Sequence, residues 1–247
     1  MKSKLILGDG LLGSELVKQT GWDYVSRKNN NSYTKYKFDI TNPNSFNGNL
    51  NEVYDGCAMT KKYDVIINCI AHTDTYSTDK DLHWKVNYEG VNNLIEFCNE
   101  WKIKLVHISS DYIYTHSVEN AKEDDVPVHC RNWYGYTKLL SDGLVQLRCD
   151  DYLLLRGTHK VEPFTYDSAW SNQVGNFDYV STMSEIIVKL INKDCKGVYN
   201  IGTQTKSMYE LAKKTKLNVK CDKNQPENVP KNVTMNLDKL KKIIQYD

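Results

Sequence analysis

Short apolar runs alternate with helical stretches along most of the chain. The runs predict six strands, at residues 4–7, 22–26, 35–38, 65–68, 104–108 and 152–155. Val65-Ile66-Ile67 and Leu153-Leu154-Leu155 are continuously apolar, as expected of strands that are buried on both faces. Apolar residues recur at helical spacing in residues 81–100, and a second helix begins near Trp133. Alternating strands and helices predict an α/β fold with a doubly wound parallel sheet.

The first strand runs directly into a glycine motif, Gly8-Asp9-Gly10-Leu11-Leu12-Gly13, and then into a helix. This strand–turn–helix context is the one in which Gly-x-Gly-x-x-Gly binds a dinucleotide, in a Rossmann-like sheet. Gly8 permits the tight turn, Gly10 lets backbone amides approach a pyrophosphate, and Gly13 lets the helix pack close to the strand. The helix N-terminus attracts the phosphates. The motif therefore predicts a cofactor site that includes Leu11 and Leu12.

The end of the second strand bears on which dinucleotide is bound. An acidic residue there would hydrogen-bond the ribose 2′-hydroxyl of NAD. The chain instead has Ser26-Arg27-Lys28, and a guanidinium fork is suited to a phosphate. These residues predict NADP, with NADPH preferred over NADH. The alternative is that Arg27 and Lys28 are only a solvated strand end.

A second constellation lies further along the chain, where Ser110 follows an apolar run and Tyr134 precedes Lys138 by four residues. The spacing places Tyr134 and Lys138 on one helix face, and an ammonium near a phenol lowers the pKa of the phenol. We therefore expect Tyr134 to be a general acid, with Ser110 orienting the reacting oxygen. Because the chain has 17 tyrosines, one such spacing can also arise by chance. The glycine motif at the start of the chain favours the functional interpretation of the Tyr134–Lys138 pair.

The order of these motifs resembles that of the extended short-chain dehydrogenase/reductases, and within them the dTDP-4-dehydrorhamnose reductase group. The resemblance covers residues 1 to about 160. It rests on the glycine motif, Asp39-Ile40-Thr41-Asn42, Asn68-Cys69-Ile70-Ala71-His72, Val86-Asn87, Ser109-Ser110-Asp111-Tyr112-Ile113-Tyr114, Tyr134 to Lys138 and Leu155-Arg156-Gly157-Thr158.

The resemblance implies roles for further residues. It places Asp39 and Ile40 beside the adenine, Cys69, Ile70 and Ala71 along the cofactor, and Lys138 on the nicotinamide ribose. Asn87 orients the lysine or merely packs its helix, and His72 is expected to be a loop side chain. Asp111, Thr158, His159 and Trp170 are the candidate substrate contacts, although Trp170 also suits a core or an interface.

The activity implied is NADPH-dependent reduction of a 4-keto-6-deoxy nucleotide sugar in rhamnose-type deoxysugar biosynthesis. Residues 1–156 would bind NAD(P), and residues 157–247 would form a small, partly interleaved substrate lobe. Asp111 stands where related epimerases carry a cysteine, which favours a pure reductase. An epimerase, a combined epimerase and reductase, a non-catalytic NADP-binding regulatory subunit, and a cofactor-binding remnant whose shortened lobe no longer closes over substrate remain alternatives.

Composition narrows these possibilities only modestly. A net charge of +1 without a basic tract gives no sign of nucleic-acid or membrane binding. The start of the chain is too short in apolar residues for a signal sequence, so we expect a cytoplasmic protein. Seven cysteines without Cys-x-x-Cys pairing predict neither a metal site nor a disulfide framework. Apolar positions on several sides of helix 133–148 favour a homodimer, although a well-covered monomer helix would look similar.

Overall fold

A computed structural model describes residues 2–29, 37–46, 52–55, 58–61, 63–114, 120–123, 132–227 and 229–244. In chain order the strands are β1 Lys4–Leu7, β2 Asp23–Val25, β3 Glu52–Asp55, β4 Ala58–Lys61, β5 Val65–Asn68, β6 Lys104–Ile108, β7 Tyr152–Arg156, β8 His159–Lys160, β9 Ser168–Trp170, β10 Val174–Gly175, β11 Asp178–Tyr179, β12 Gly197–Asn200, β13 Lys206–Ser207, β14 Lys220–Asp222 and β15 Asn232–Val233. The helices are α1 Leu11–Thr20, α2 Lys80–Trp84, α3 Gly90–Trp101, α4 Trp133–Arg148, α5 Val180–Asn192, α6 Met208–Lys213 and α7 Asp238–Ile243.

Six parallel strands form the central sheet, in the order β12-β7-β6-β5-β1-β2. The strand order reverses at β1, because β2 lies on one side of it and β5 on the other. In an open α/β sheet such a reversal leaves a crevice at the carboxyl ends of the strands, where ligands bind. Leu7 of β1 is in register with Asn68 of β5 at this end. The predicted fold class, a doubly wound Rossmann-like sheet, is confirmed.

Alternate residues of each central strand belong to different core layers. In β1, Ile6 packs in the layer that contains α1 and α5, whereas Leu5 and Leu7 pack in the layer that contains α3. All three side chains have 0% exposure. Burial on both faces explains why the central strands are continuously apolar in sequence.

The last third of the chain is shared between the central sheet and a small separate core. β12 is an edge strand of the main sheet, and α5 packs on α1. The separate core includes Phe164, Phe177 and Leu211, and short strands surround it in the pairs β8–β11 and β9–β14 and the triplet β13-β10-β15. The interleaving expected for residues 157–247 is thus visible, while the boundary at residue 156 stays a prediction.

Two sequence-based elements differ from the structure. Lys37 and Phe38 of the predicted strand 35–38 are not in a strand, and Lys35 and Tyr36 lie outside the described residues. Phe38 is buried by packing edge-on against Phe46, with ring centroids 5.2 Å apart. The predicted single helix 81–100 is α2 and α3 joined by a π-helical turn, Lys85–Glu89. Such turns often occur at functional sites.

None of the helices in the described part of the chain is long and apolar enough to cross a membrane. Within the same ranges no three His, Cys, Asp or Glu side chains gather in a way that could hold a metal ion.

The glycine turn gives a direct test of this packing. A Cβ on Gly13 would lie 2.0 Å from the carbonyl oxygen of Gly8, whereas a Cβ on Gly10 would meet no atom within 4 Å. We expect Gly13→Ala to lower the free energy of unfolding by about 3 kcal/mol, because helix α1 must move away from β1. Gly10→Ala is the matched control and should lose only roughly 0.5–1 kcal/mol, the cost of alanine at the N-cap of α1. Equal midpoints for both variants would contradict the packing role of Gly13.

Candidate active site

The glycine turn brings the N-terminus of α1 against the carboxyl end of β1. Gly8 has a φ of +97°, a backbone conformation that favours glycine, and its N–H donates to Val25 O at 2.9 Å. Gly10 is the N-cap of α1 and gives the helix no side-chain cap. The first amides of α1 are therefore not covered by a capping side chain, and a helix N-terminus of this kind suits a pyrophosphate.

The end of β2 forms a tight turn beside the glycine motif. The buried Ser26 hydroxyl accepts hydrogen bonds from Lys28 N at 3.1 Å and Asn29 N at 3.0 Å, and so shapes the turn. Arg27 and Lys28 are exposed. Asn29 Nδ2 donates to Asp9 Oδ2 at 2.9 Å, which links this turn to the glycine motif. The structure thus leaves the Arg27 guanidinium accessible to a ligand that lies along the turn.

The other predicted cofactor residues line the same edge of the sheet or pack behind it. Ile40 is buried over Gly90, where a Cβ would meet Ile40 at 2.8 Å. Asp39 Oδ1 accepts from Thr41 N and Oγ1 at 2.9 and 2.8 Å, which organises its own turn. Cys69, Ile70 and Ala71 follow β5 directly and are half-buried. A Cβ on Gly8 would meet Ile70 Cγ1 at 2.9 Å, so this segment lies against the glycine turn.

Asn87 holds the segment after β5 against the helix that carries Tyr134. It lies in the π-helical turn, is buried, and accepts from His72 N at 2.8 Å. Its Nδ2 group donates to His72 O at 3.0 Å and to Thr137 Oγ1 at 3.1 Å. Asn87 thus joins two walls of the site through its hydrogen bonds, and its role stays a prediction.

Ser110 and Tyr134 are brought together from different elements. Ser110 follows β6, and Tyr134 lies in the first turn of α4. Asn132 caps that helix, because its Oδ1 accepts from Gly135 N at 2.8 Å. The Tyr134 phenol lies close enough to the Ser110 hydroxyl for that hydroxyl to lower its pKa. A hydroxyl pair of this kind can hold a carbonyl oxygen and deliver a proton to it.

The pKa of Tyr134 is raised in this structure, not lowered as the Lys138 spacing predicts. Burial raises the pKa of Tyr134 to about 12, the Ser110 hydroxyl opposes this, and Asp111 adds to it. Lys138 Nζ donates to Ile108 O at 2.7 Å and lies 3.3 Å from His107 Nε2. Because a buried amine needs hydrogen-bond partners, Lys138 extends to the end of β6. Burial lowers the pKa of Lys138 to about 8.

A buried ion pair fixes α4 to the sheet below these residues. Arg156, at the end of β7, contacts Asp142 of α4 through Nε at 3.0 Å and Nη2 at 2.8 Å, and both side chains are at most 4% exposed. Asp142 Oδ2 also accepts from Ser109 Oγ at 2.8 Å. Arg156 Nη1 donates to Tyr114 Oη at 2.6 Å. The pair joins α4, β7 and both ends of the segment that contains Ser110.

A polar cluster continues from Ser110 towards the C-terminal lobe. Asp111 has 0% exposure, and its Oδ1 accepts from Thr158 Oγ1 at 2.5 Å. Burial raises the pKa of Asp111 to about 6. Burial lowers the pKa of His159 to about 4, and the positive charge of Lys160 contributes a smaller part of the shift. Asp111 and Thr158 are thus brought together.

Trp170 is placed apart from that cluster. It lies on β9, which pairs with β14 beside the separate core. Among the contacts between described residues, none joins Trp170 to Ser110, Tyr134 or Lys138.

Several residues of the site were given no role by the sequence. Asn68, His107, Asp142 and Arg156 are buried polar side chains that contact Lys138, Ser109 or one another. They lie within apolar strands or along a helix, where a lone polar residue has many explanations. His107 is a polar residue inside the largely apolar strand Lys104–Ile108. This position was a sequence signal that could have identified it as a functional residue.

These features define a class of protein. A parallel sheet with a glycine turn at its switch point, a helix N-terminus open to phosphate, and a Ser110–Tyr134 pair at the same edge are the parts of a dinucleotide-dependent oxidoreductase. Residues 2–160 match the family model of the RmlD substrate binding domain, and the chain belongs to that family. This confirms the predicted resemblance and the enzyme class, the NAD(P)-dependent oxidoreductases related to dTDP-4-dehydrorhamnose reductase.

The relatives agree with this assignment at low identity. The spore coat polysaccharide biosynthesis protein SpsK of Bacillus subtilis is 24% identical over 234 residues, which cover 86% of this chain and 77% of that protein. The dTDP-4-dehydrorhamnose reductase of Salmonella typhimurium is 30% identical over 95 residues, which cover 38% of this chain and 32% of the relative.

One solved structure shares the fold over nearly the whole chain. The dTDP-4-dehydrorhamnose reductase of Bacillus anthracis, determined in complex with NADP, has a TM-score of 0.76 and 22% identity, and covers 98% of this chain and 92% of the other.

Asp111 should make stability depend on pH. Its pKa in the folded protein, about 6, is above the ordinary value of 3.8, so the folded state binds this proton more tightly than the unfolded chain. Stability therefore falls as pH rises from about 4 to 6, and the loss persists above 6. Asp111→Asn keeps an oxygen for Thr158 without the charge. We expect it to exceed wild type in unfolding free energy by on the order of 2 kcal/mol at pH 7.

Urea unfolding at pH 4, 5, 6 and 7 measures this difference. Asp150→Asn, at a carboxylate that is 66% exposed, is the control and should show little change across the series. A constant difference between Asp111→Asn and wild type over the whole range would show that Asp111 is not the titrating group.

Proposed function

We propose that this protein reduces the 4-keto group of a 4-keto-6-deoxy nucleotide sugar, of the dTDP- or UDP-4-dehydrorhamnose kind, with NADPH. The observation that carries the proposal is the placement of Tyr134 beside Ser110 at the carboxyl edge of the sheet that also holds the glycine turn. The family match and the relatives named as dTDP-4-dehydrorhamnose reductases support the substrate class.

The residues present fit a dinucleotide. Gly8 and Gly13 leave room that a Cβ would close, and the uncapped start of α1 offers amides to the pyrophosphate. Arg27, exposed at the end of β2, would hold the 2′-phosphate. A dinucleotide bound there would supply the hydride for the carbonyl carbon.

The chain's own residues would manage the proton. As the carbonyl oxygen gains negative charge, Ser110 donates a hydrogen bond to it and Tyr134 transfers its phenolic proton. An alkoxide is a far stronger base than a phenolate, so this transfer is favourable even with the raised pKa of Tyr134. Lys138, in its protonated form, would then stabilise the phenolate that remains.

Asp111 bears on the epimerase alternatives. An epimerase needs a second acid or base that faces the sugar ring. The Oδ1 atom of Asp111 is held by Thr158, and its carboxyl group has no exposure, which favours simple reduction. Net consumption of one NADPH for each sugar reduced would support the reductase, whereas turnover without net oxidation would support an epimerase. Binding of NADPH and sugar without turnover would support the regulatory-subunit alternative.

Removal of the Tyr134 hydroxyl tests the proposed acid. We expect Tyr134→Phe to lower kcat by about 10³-fold, because general acid catalysis is lost, while the NADPH dissociation constant changes less than ~2-fold. Tyr136→Phe is the matched control, since Tyr136 is 44% exposed on the same helix. NADPH oxidation at 340 nm with a panel of dTDP-, UDP- and GDP-linked 4-keto-6-deoxy sugars measures turnover. Full activity of Tyr134→Phe on every reduced sugar would exclude Tyr134 as the acid.

The cofactor preference rests on Arg27. Loss of a guanidinium–phosphate contact costs about 1.5–3 kcal/mol, so Arg27→Ala should raise the KM for NADPH by roughly 10-fold or more. The KM for NADH, which lacks the 2′-phosphate, should stay within ~2-fold and serves as the internal control. An equal rise in KM for both cofactors would mean that Arg27 shapes the turn and does not bind the 2′-phosphate.

A further inference from the structure

Three buried polar side chains form a row beneath the proposed proton donor. Asn68 ends β5, His107 lies on β6 and Lys138 lies on α4, and each is at most 1% exposed. Asn68 Nδ2 is 3.3 Å from His107 Nδ1, and His107 Nε2 is 3.3 Å from Lys138 Nζ. The proposed reaction uses Lys138 and leaves the other two without a role.

The backbone sets the direction of hydrogen bonding along this row. Ile70 N–H donates to Asn68 Oδ1 at 3.0 Å, so the amide oxygen faces Ile70 and the amide nitrogen faces His107. Because an amide nitrogen only donates, His107 Nδ1 must accept. Burial holds the pKa of His107 well below its ordinary value, and the positive charge of Lys138 lowers it further. The ring is therefore neutral, and its one proton is on Nε2.

This tautomer points a donor at Lys138. An ammonium group has three donors and no acceptor. When Lys138 is charged, its donors therefore face another donor, the Nε2–H of His107, and cannot hydrogen-bond to it. A neutral amine can accept from Nε2–H and still donate to Ile108 O, which is 2.7 Å away.

The remaining titratable groups around Lys138 do not cancel this effect. Asp142, on the same helix, raises the pKa of Lys138, but its carboxylate is already held by Arg156 and Ser109. Burial raises the pKa of Cys69, at the end of β5, to about 12, and that of Tyr134 to about 12. Both are neutral near pH 7, so His107 is the group that faces Lys138 with a directed proton.

We propose that His107 is a positioning residue that Asn68 holds in the Nε2–H tautomer, so that it favours the neutral amine of Lys138 and sets the pH at which this lysine gains its proton. The catalytic consequence rests on the proposed function. If protonated Lys138 stabilises the Tyr134 phenolate, activity falls as pH rises past the Lys138 titration. His107 then determines where that alkaline limb lies.

The tautomer can be read in the wild-type protein. Two-bond ¹H–¹⁵N correlation spectra of the full chain at pH 7, without cofactor or substrate, distinguish the two imidazole nitrogens. We expect a neutral His107 ring with its proton on Nε2. A proton on Nδ1, or on both nitrogens, would overturn the proposal.

The effect on Lys138 is measured by titration of ¹³C-labelled lysine side chains, with Lys138→Arg to assign the signal. The wild-type midpoint should be about 8. His107→Leu removes the donor, and His107→Gln provides a polar replacement that retains folding if the leucine variant does not. In either variant the midpoint should rise by about one pH unit. His83→Gln, at another buried histidine, should leave it unchanged.

An unmoved midpoint in the folded His107 variants would overturn the proposal. Both measurements omit cofactor and substrate, so they stand apart from the proposed reaction. If wild type oxidises no NADPH with any keto sugar, the proposed function fails while the tautomer and the midpoint still test His107. If it is active, the alkaline limb of kcat should move to higher pH in the same variants, whereas a purely structural role would lower kcat without moving that limb.

Discussion

The buried ion pair between Arg156 and Asp142 is the contact on which the arrangement of the site depends. Removing two charges from water is costly, and the cost is offset here by bidentate geometry and by further hydrogen bonds from Ser109 and to Tyr114. Loss of one partner from such a pair typically costs 3–5 kcal/mol. Because the pair joins α4 to β7 and to the segment after β6, it keeps Tyr134 on α4 beside Ser110. The catalytic constellation is thus positioned by the packing of a helix against a sheet.

Burial moves the titratable groups around that pair towards their neutral forms. The pKa values of Tyr134 and Asp111 are raised, and those of Lys138 and His107 are lowered, with desolvation as the largest cause in each case. Near pH 7 the hydroxyl and imidazole groups are neutral, while Lys138, with a pKa of about 8, is still mostly protonated. In so dry an environment a single directed hydrogen bond has a large effect on a proton equilibrium. The contact of His107 with Lys138 gains its importance in this way.

The fold and the main motifs could be predicted from the sequence, but their electrostatics could not. Continuous apolar strands and the glycine turn are local signals, and the sheet and the position of α1 follow from them. The Tyr-x-x-x-Lys spacing identified the helix face correctly, yet the lysine extends to Ile108 and His107, because its partners come from a strand about thirty residues away. Phe38 packs in the core outside any strand, and the π-helical turn at Asn87 breaks a regular helix pattern. Arg156, Asp142 and Asn68 are meaningful only once distant elements meet.

An experimental structure of the protein with NADP⁺ bound would show directly whether these residues hold the cofactor as proposed. We expect the pyrophosphate at the start of α1, Arg27 at the 2′-phosphate, and the Tyr134 hydroxyl facing the nicotinamide ring within hydrogen-bond reach of Ser110. A phenol turned away from that ring, or a glycine turn that stays empty at millimolar NADP⁺, would contradict the assignment of this protein as a reductase.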